Sequence, residues 1–105
     1  MIDPPIDSFR ERVYELMRQL PSDKLTTYGD LAGMAGHPYA ARTVGVIAHG
    51  GPTELPWHKV LNYRGGLAVG FPGGQIVQKQ LLENDGFSCD EHWRIVDFDK
   101  RRWRS

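Results

Sequence analysis

In the stretch LPWHKVL, residues 55 to 61, a tryptophan stands between a proline and a histidine, followed by a lysine and two apolar residues. A turn anchored by Pro56 ahead of a short strand is a good platform for presenting a side chain to a pocket. The indole of Trp57 has no nucleophilic atom and no group that titrates near neutral pH. It offers a flat, polarisable face and one N–H donor, which suits contact rather than reaction. His58 has the chemistry of a general base, but a single imidazole without a visible carboxylate partner is more often a satisfied structural histidine. The sole cysteine, Cys89, lies well beyond this stretch and cannot close an intramolecular disulfide. Histidines at 37, 49, 58 and 92 are scattered, without metal-ligand spacing. These residues favour binding over catalysis and call for no metal or cofactor.

A second group suggests what is bound. Ala41, Thr43 and Gly45 are small where a helix surface usually carries long charged side chains, and only Arg42 projects among them. Small residues there allow either close packing on another helix or entry into a narrow groove with Arg42 reaching furthest. In duplex DNA the minor groove is the narrow one, and a side chain wedged into it can unstack a base step. A formal net charge of zero argues against a general nucleic-acid binder, whose domains are usually basic. Distribution tempers that argument. Acidic residues gather at Glu83, Asp85, Asp90, Glu91, Asp97 and Asp99, whereas the final six residues, KRRWRS, hold four cations around a tryptophan. Such an end is either a solvated terminus or a phosphate-contacting tail.

The elements that must position these residues can be read from periodicity. Phe9, Val13, Leu16, Met17 and Leu20 recur at helical spacing, with Asp7 or Ser8 as N-cap and Pro21 as terminator. A second helix fits TTYGDLAGMAG: Thr27 and Asp30 have capping-box spacing, Leu31, Met34 and Ala35 face inward, and Gly36 ends it. Tyr28 then falls in its first turn. A third helix begins at Pro38, carries Ala40, Val44, Ile47 and Ala48 inward, and stops at Gly50 and Gly51. Two helices joined by a tight glycine-containing turn predict helix-turn-helix. Residues 58–61 and 67–69 read as strands around the turn 62–66, a small wing. The loop GFPGG, 70 to 74, leads into a fourth helix, QIVQKQLLEND, closed by Gly86, after which Trp93, Ile95 and Val96 are expected to pack back on the core. The fold class is mainly α with a small β wing, a winged-helix-like helix-turn-helix domain. At 105 residues, 40% hydrophobic and 25% charged, the chain reads as one globular domain with one core. A lone cysteine fits a reducing compartment, MIDPPIDSF lacks the pattern of a secretion signal, and no segment approaches membrane-spanning length. The expected setting is the cytoplasm, with the nucleoid in a bacterium, and the expected state is a monomer.

In order and spacing, TYGDLA (27–32), AARTVG (40–45), PWHKV (56–60) and GGLAVGFPGG (65–74) resemble the DNA-binding domain of the O6-alkylguanine-DNA alkyltransferases. Four ordered motifs over residues 6 to 87 make the resemblance far more specific than any one short pattern, and leave 88–105 as an extension with a basic tail. In that family the third motif reads Pro-Cys-His-Arg-Val, and its cysteine accepts the alkyl group. Trp57 occupies that position here, which makes the chain similar to the alkyltransferase-like proteins that recognise the lesion without repairing it.

The resemblance implies that the third helix enters the minor groove and that Arg42 fills the hole left by a flipped nucleotide. It implies that Tyr28 helps rotate the target phosphate and that Ala41, Thr43 and Gly45 line the groove. Main-chain contacts to the flipped guanine would come from Val60 and from the 70–74 loop, with Phe71 and Gly73. His58 and Asp85 resemble the pair that activates the thiol in true transferases and would be vestigial here. Three departures bear on the pocket. Gly51 replaces the usual Asn after the recognition helix, the segment before PWHKV is about two residues shorter, and Gly73 stands where transferases often have Ser. The implied activity is non-catalytic recognition of O6-alkylguanine in double-stranded DNA, with the complex handed to the damage-recognition protein of nucleotide excision repair. Two alternatives remain at this stage: a winged-helix regulator without lesion preference, and a residual transferase using Cys89.

Overall fold

The computed structural model describes residues 6–103. Helix α1, Ile6–Gln19, presents Phe9, Val13 and Met17 as one buried stripe, as their spacing dictates. Asp7 and Ser8 lie inside this helix, so neither is its N-cap; Asp7 instead pairs with Arg10 one turn on, at 3.3 Å. The opening residues of MIDPPIDSF fall outside the described residues. After the turn at Pro21, strand β1, Thr26–Thr27, runs directly into α2, Tyr28–Met34. Thr27 ends the strand and caps the helix at once: its Oγ1 accepts from the Asp30 amide at 2.9 Å. Leu31, Ala32 and Ala35 are buried, and Gly36, at φ 93°, turns the chain out of the helix in the left-handed region that favours glycine.

Helix α3 is Ala41–His49 and packs against α2, completing the helix-turn-helix. It starts later than Pro38. Residues 37–40 instead form a turn in which the Ala40 amide donates to the His37 carbonyl at 2.9 Å, a geometry that the fixed φ of proline also suits. Val44 and Ile47 complete the first core with α1, α2, Leu55 and Val60. A second core, Leu25, Leu61, Leu67, Leu82, Phe87 and Ile95, lies under helix α4, Gln75–Asn84.

The chain is mainly helical with one small sheet, but the sheet is not the expected hairpin. Strand β2, Val60–Leu61, pairs in parallel with β1, in register Thr26 to Val60 and Thr27 to Leu61. Residues 67–69 form no strand: the Leu67 amide donates to the Trp93 carbonyl at 2.9 Å, and Gly66 makes a single bridge to Arg94. The turn 62–66 does close, held by Asn62 Oδ1, which accepts from the Arg64 and Gly66 amides at 2.9 Å each. Of the three residues expected to pack back after α4, Ile95 does so, whereas Trp93 and Val96 stay exposed.

The basic end is built into the fold. Short helix α5, Phe98–Arg101, delivers the chain alongside β1, where the Leu25 amide donates to the Arg101 carbonyl and the Trp103 amide to the Leu25 carbonyl, both at 2.7 Å. Arg102 then donates to both carboxylate oxygens of Asp30 at 2.7 and 2.9 Å, and Trp103 packs on the first core. Arg102 is thereby withdrawn from any free tail, while Arg104 lies outside the described residues. Loss of this half-buried bidentate pair is expected to cost about 2 kcal/mol. Arg102→Ala should therefore melt at lower denaturant concentration, a shift that equilibrium unfolding reads directly. No helix among the described residues is long and apolar enough to cross a membrane.

Candidate functional site

Pro56 leads into a single 3-10 turn, Trp57–Lys59, whose three side chains diverge. Lys59 goes down into the protein: its Nζ donates to the Pro21 and Ser22 carbonyls at 2.9 and 3.0 Å. Burial pushes its pKa below the ordinary lysine value, partly opposed by Asp85 and Asp23. His58 turns toward the end of α4, where Asp85 Oδ2 accepts from its Nε2 at 2.6 Å. The resemblance implied this pair, and the C-cap position of Asp85 after α4 brings it within reach.

Trp57 points the third way, into a cleft of about 230 Å³. The cleft is bounded by Tyr28 at the start of α2, by Gly45, Ala48 and His49 of α3, and by Thr53 and Leu55 of the connecting loop. The 70–72 loop, with Phe71, and Leu81 of α4 also line it. The indole is fixed on three sides. Its N–H donates to the Pro52 carbonyl at 2.8 Å, its ring meets Tyr14 edge-on at 6.1 Å, and it lies against Gly51. A Cβ at position 51 would stand 2.5 Å from Cζ2 of the ring. Gly51 has no unusual φ, so space rather than conformation calls for glycine here. Burial pushes the Tyr28 phenol above its ordinary pKa, so it faces the cleft as a neutral hydroxyl.

Tyr28, Gly45, Trp57, His58 and Phe71 therefore converge on the cleft. Val60 and Gly73 are not among its lining residues. Val60 is fully buried in β2, with its amide bonded to the Trp57 carbonyl and its carbonyl accepting from Gln78. Gly73, at φ 86°, permits the entry to α4, where any Cβ would meet Val77 at 2.8 Å. Arg42 is exposed on the first turn of α3 and has no hydrogen-bond or ion-pair partner among the described residues; Ala41 and Thr43 beside it are half-buried. Arg42 does not project alone, because Val46, one turn on, is 69% exposed. The inward reading of Ala48 is likewise corrected, since it is half-buried on the cleft wall. Cys89 lies outside the cleft, and burial raises its thiol pKa. No group of three or more His, Cys, Asp or Glu among the described residues could hold a metal ion.

Sequence reasoning missed His49, Thr53, Leu55 and Leu81 on the walls, and Gln78 behind them. Gln78 had a readable signal: Gln75, Gln78 and Leu82 share one helical face, so a polar residue sits on the buried stripe.

These features describe a helix-turn-helix module with an aromatic-walled cleft beside its second helix. The chain belongs to the family of the 6-O-methylguanine DNA methyltransferase, DNA binding domain, whose model matches residues 8–87. It is 38% identical over 99 residues to the DNA base-flipping protein of Escherichia coli (strain K12), covering 92% of this chain and 75% of that protein. It is also 38% identical over 84 residues to Alkyltransferase-like protein 1 of Schizosaccharomyces pombe, covering 77% of this chain and 78% of that one. The crystal structure of S. pombe Atl1 in complex with damaged DNA containing O6-carboxymethylguanine superposes with a TM-score of 0.79. That match has 30% identity and covers 94% of this chain and 97% of that one.

Proposed function

We propose that this protein recognises O6-alkylguanine in duplex DNA without removing the alkyl group. The observation that carries the reading is the indole of Trp57, fixed on the cleft wall at the position of the reactive cysteine in the transferase motif. A flipped purine entering between Trp57 and Phe71 would meet apolar faces suited to an alkylated base, with the neutral Tyr28 hydroxyl at the rim. Helix α3 would lie in the minor groove, with Arg42 in the vacated stack. The relatives support this: one is named a base-flipping protein, and another is solved on DNA containing O6-carboxymethylguanine.

Alkyl transfer needs a thiolate in line with the alkyl carbon. The His58–Asp85 pair lies near Trp57, an indole with nothing to deprotonate at neutral pH, and Cys89 is outside the cleft. Incubation with duplex carrying a labelled O6-methyl group is expected to leave all label on the DNA and to yield no free guanine in its place. Label on the protein would contradict the non-catalytic reading.

Binding without chemistry is useful when the complex marks the site for another system. A helix wedged in the minor groove bends DNA toward the major groove and enlarges the distortion of a small lesion. The proposed recipient is the damage-recognition protein of nucleotide excision repair, which reads distortion rather than one lesion structure. A strain lacking excision repair is expected to gain no protection from this protein against alkylating agents. Undiminished protection there would refute the handoff and leave lesion binding intact.

A further inference from the structure

Behind the cleft, α4 carries a polar residue where its pattern calls for an apolar one. Gln78 is fully buried. Its Oε1 accepts from the Ala68 amide at 2.7 Å, and its Nε2 donates to the His58 carbonyl at 3.0 Å and the Val60 carbonyl at 3.3 Å. One carboxamide thus joins the turn that carries Trp57 and His58 to the chain entering the 70–72 loop. Among the described residues no main-chain hydrogen bond runs between those two segments. Gln75, one turn earlier, supports the same loop by donating to the Leu67 carbonyl at 3.2 Å.

A buried amide is costly unless bonded, and a hydrophobe on this face would fill the space without that cost. The cost is offset here by bonds to three main-chain groups, two of them, the Ala68 amide and the Val60 carbonyl, in buried bonds. The location gives the arrangement its consequence. The segments it holds together both line the cleft: Trp57 and His58 from the turn, Phe71 from the loop. Loops without strand pairing drift more than paired backbone, and residues 67–72 have no strand pairing. A base bound between two walls gains most when their spacing is set before it arrives.

We propose that Gln78 is the positioning residue of the lesion cleft, fixing the distance between the Trp57 turn and the Phe71 loop so that a flipped base enters a preformed slot. The proposal rests on the lesion-binding reading above. Gln78 touches no DNA in this account; it acts through His58, Val60 and Ala68.

The test compares Gln78→Met, which keeps shape and loses every hydrogen bond, with Leu82→Ala, which damages the same helix and the core beneath it. Each is titrated with matched duplexes containing guanine or O6-methylguanine, and the ratio of the two affinities is compared at the same margin below each protein's Tm. Gln78→Met is expected to lower the ratio about tenfold, whereas Leu82→Ala keeps it. If Gln78→Met does not fold, Gln78→Glu replaces it. A buried carboxyl stays protonated and keeps the acceptor and one donor, so an intermediate ratio is expected. The second readout needs no DNA: hydrogen exchange at the Ala68 amide and the resonance of the Trp57 indole N–H. Both should change in the Gln78 variants and stay parental in Leu82→Ala. A parental ratio with parental Ala68 exchange in Gln78→Met would overturn the proposal, as would an equal loss of ratio in Leu82→Ala. If the parent itself fails to prefer the lesion, the lesion reading falls, and the exchange and resonance data decide the role of Gln78 alone.

Discussion

Arg42→Ala is expected to weaken binding to an O6-methylguanine duplex by about 2 kcal/mol, roughly thirtyfold, because a few kcal/mol of unstacking would no longer be offset by a side chain in the vacated stack. Arg42 is exposed on the first turn of α3, without an ion-pair partner among the described residues, so the substitution removes no internal support and the fold should survive it. The loss should also be selective. If Arg42 only met a phosphate, affinity for damaged and undamaged duplex would fall together and the salt slope would shrink by about one counterion. If it replaces a flipped base, the lesion duplex suffers far more. Fluorescence anisotropy at several salt concentrations separates the two. Lesion binding equal to the parent's would remove α3 from its assigned role.

A second large effect is expected at a position with no polar chemistry. The Cβ of Gly51→Ala would lie 2.5 Å from Cζ2 of Trp57 and 3.1 Å from the Ile47 carbonyl oxygen, so the indole must leave its seat. Leaving breaks its bond to the Pro52 carbonyl and its edge contact with Tyr14. Overpacking of this kind costs about 1–3 kcal/mol, and here the cost should appear in lesion affinity because the displaced group is the cleft wall. The check is a double-mutant cycle. Gly51→Ala in a Trp57→Ala background has no ring to displace and should cost little, leaving a large coupling term between the two sites. Additive losses would show that Gly51 and Trp57 act separately. Glycine stands here in place of the family's asparagine because a tryptophan at 57 and a larger side chain at 51 compete for one space.

How much was legible beforehand depends on the range of the interaction that decides each feature. The stripe of α1, the Thr27 cap of α2 and the closure of α4 before Gly86 are local, and periodicity or a single hydrogen bond suffices to foresee them. The expected wing failed because β2 finds its partner in β1, far back in the chain, and a two-residue parallel ladder leaves no local pattern. The basic end looked like a tail because nothing nearby reveals that Arg102 meets Asp30. In the site itself, Trp57 and His58 stood out by residue type, and the resemblance added Tyr28 and paired His58 with Asp85. The walls from His49, Thr53, Leu55 and Leu81 are unremarkable residues that only the tertiary arrangement of α3, the loop before the 3-10 turn and α4 brings to one cleft. Val60, implied by the resemblance to make main-chain contacts to the base, is buried in the ladder and does not line the cleft.

The most direct measurement is a titration of the unmodified protein with two duplexes identical except for one O6-methyl group, in the same buffer and at a stated salt concentration. The account predicts clearly tighter binding to the methylated duplex, about tenfold or more, with the Trp57 indole emission changing as that duplex is added. Equal affinity for both duplexes, with no change at Trp57, would contradict it and leave a helix-turn-helix protein that reads undamaged DNA.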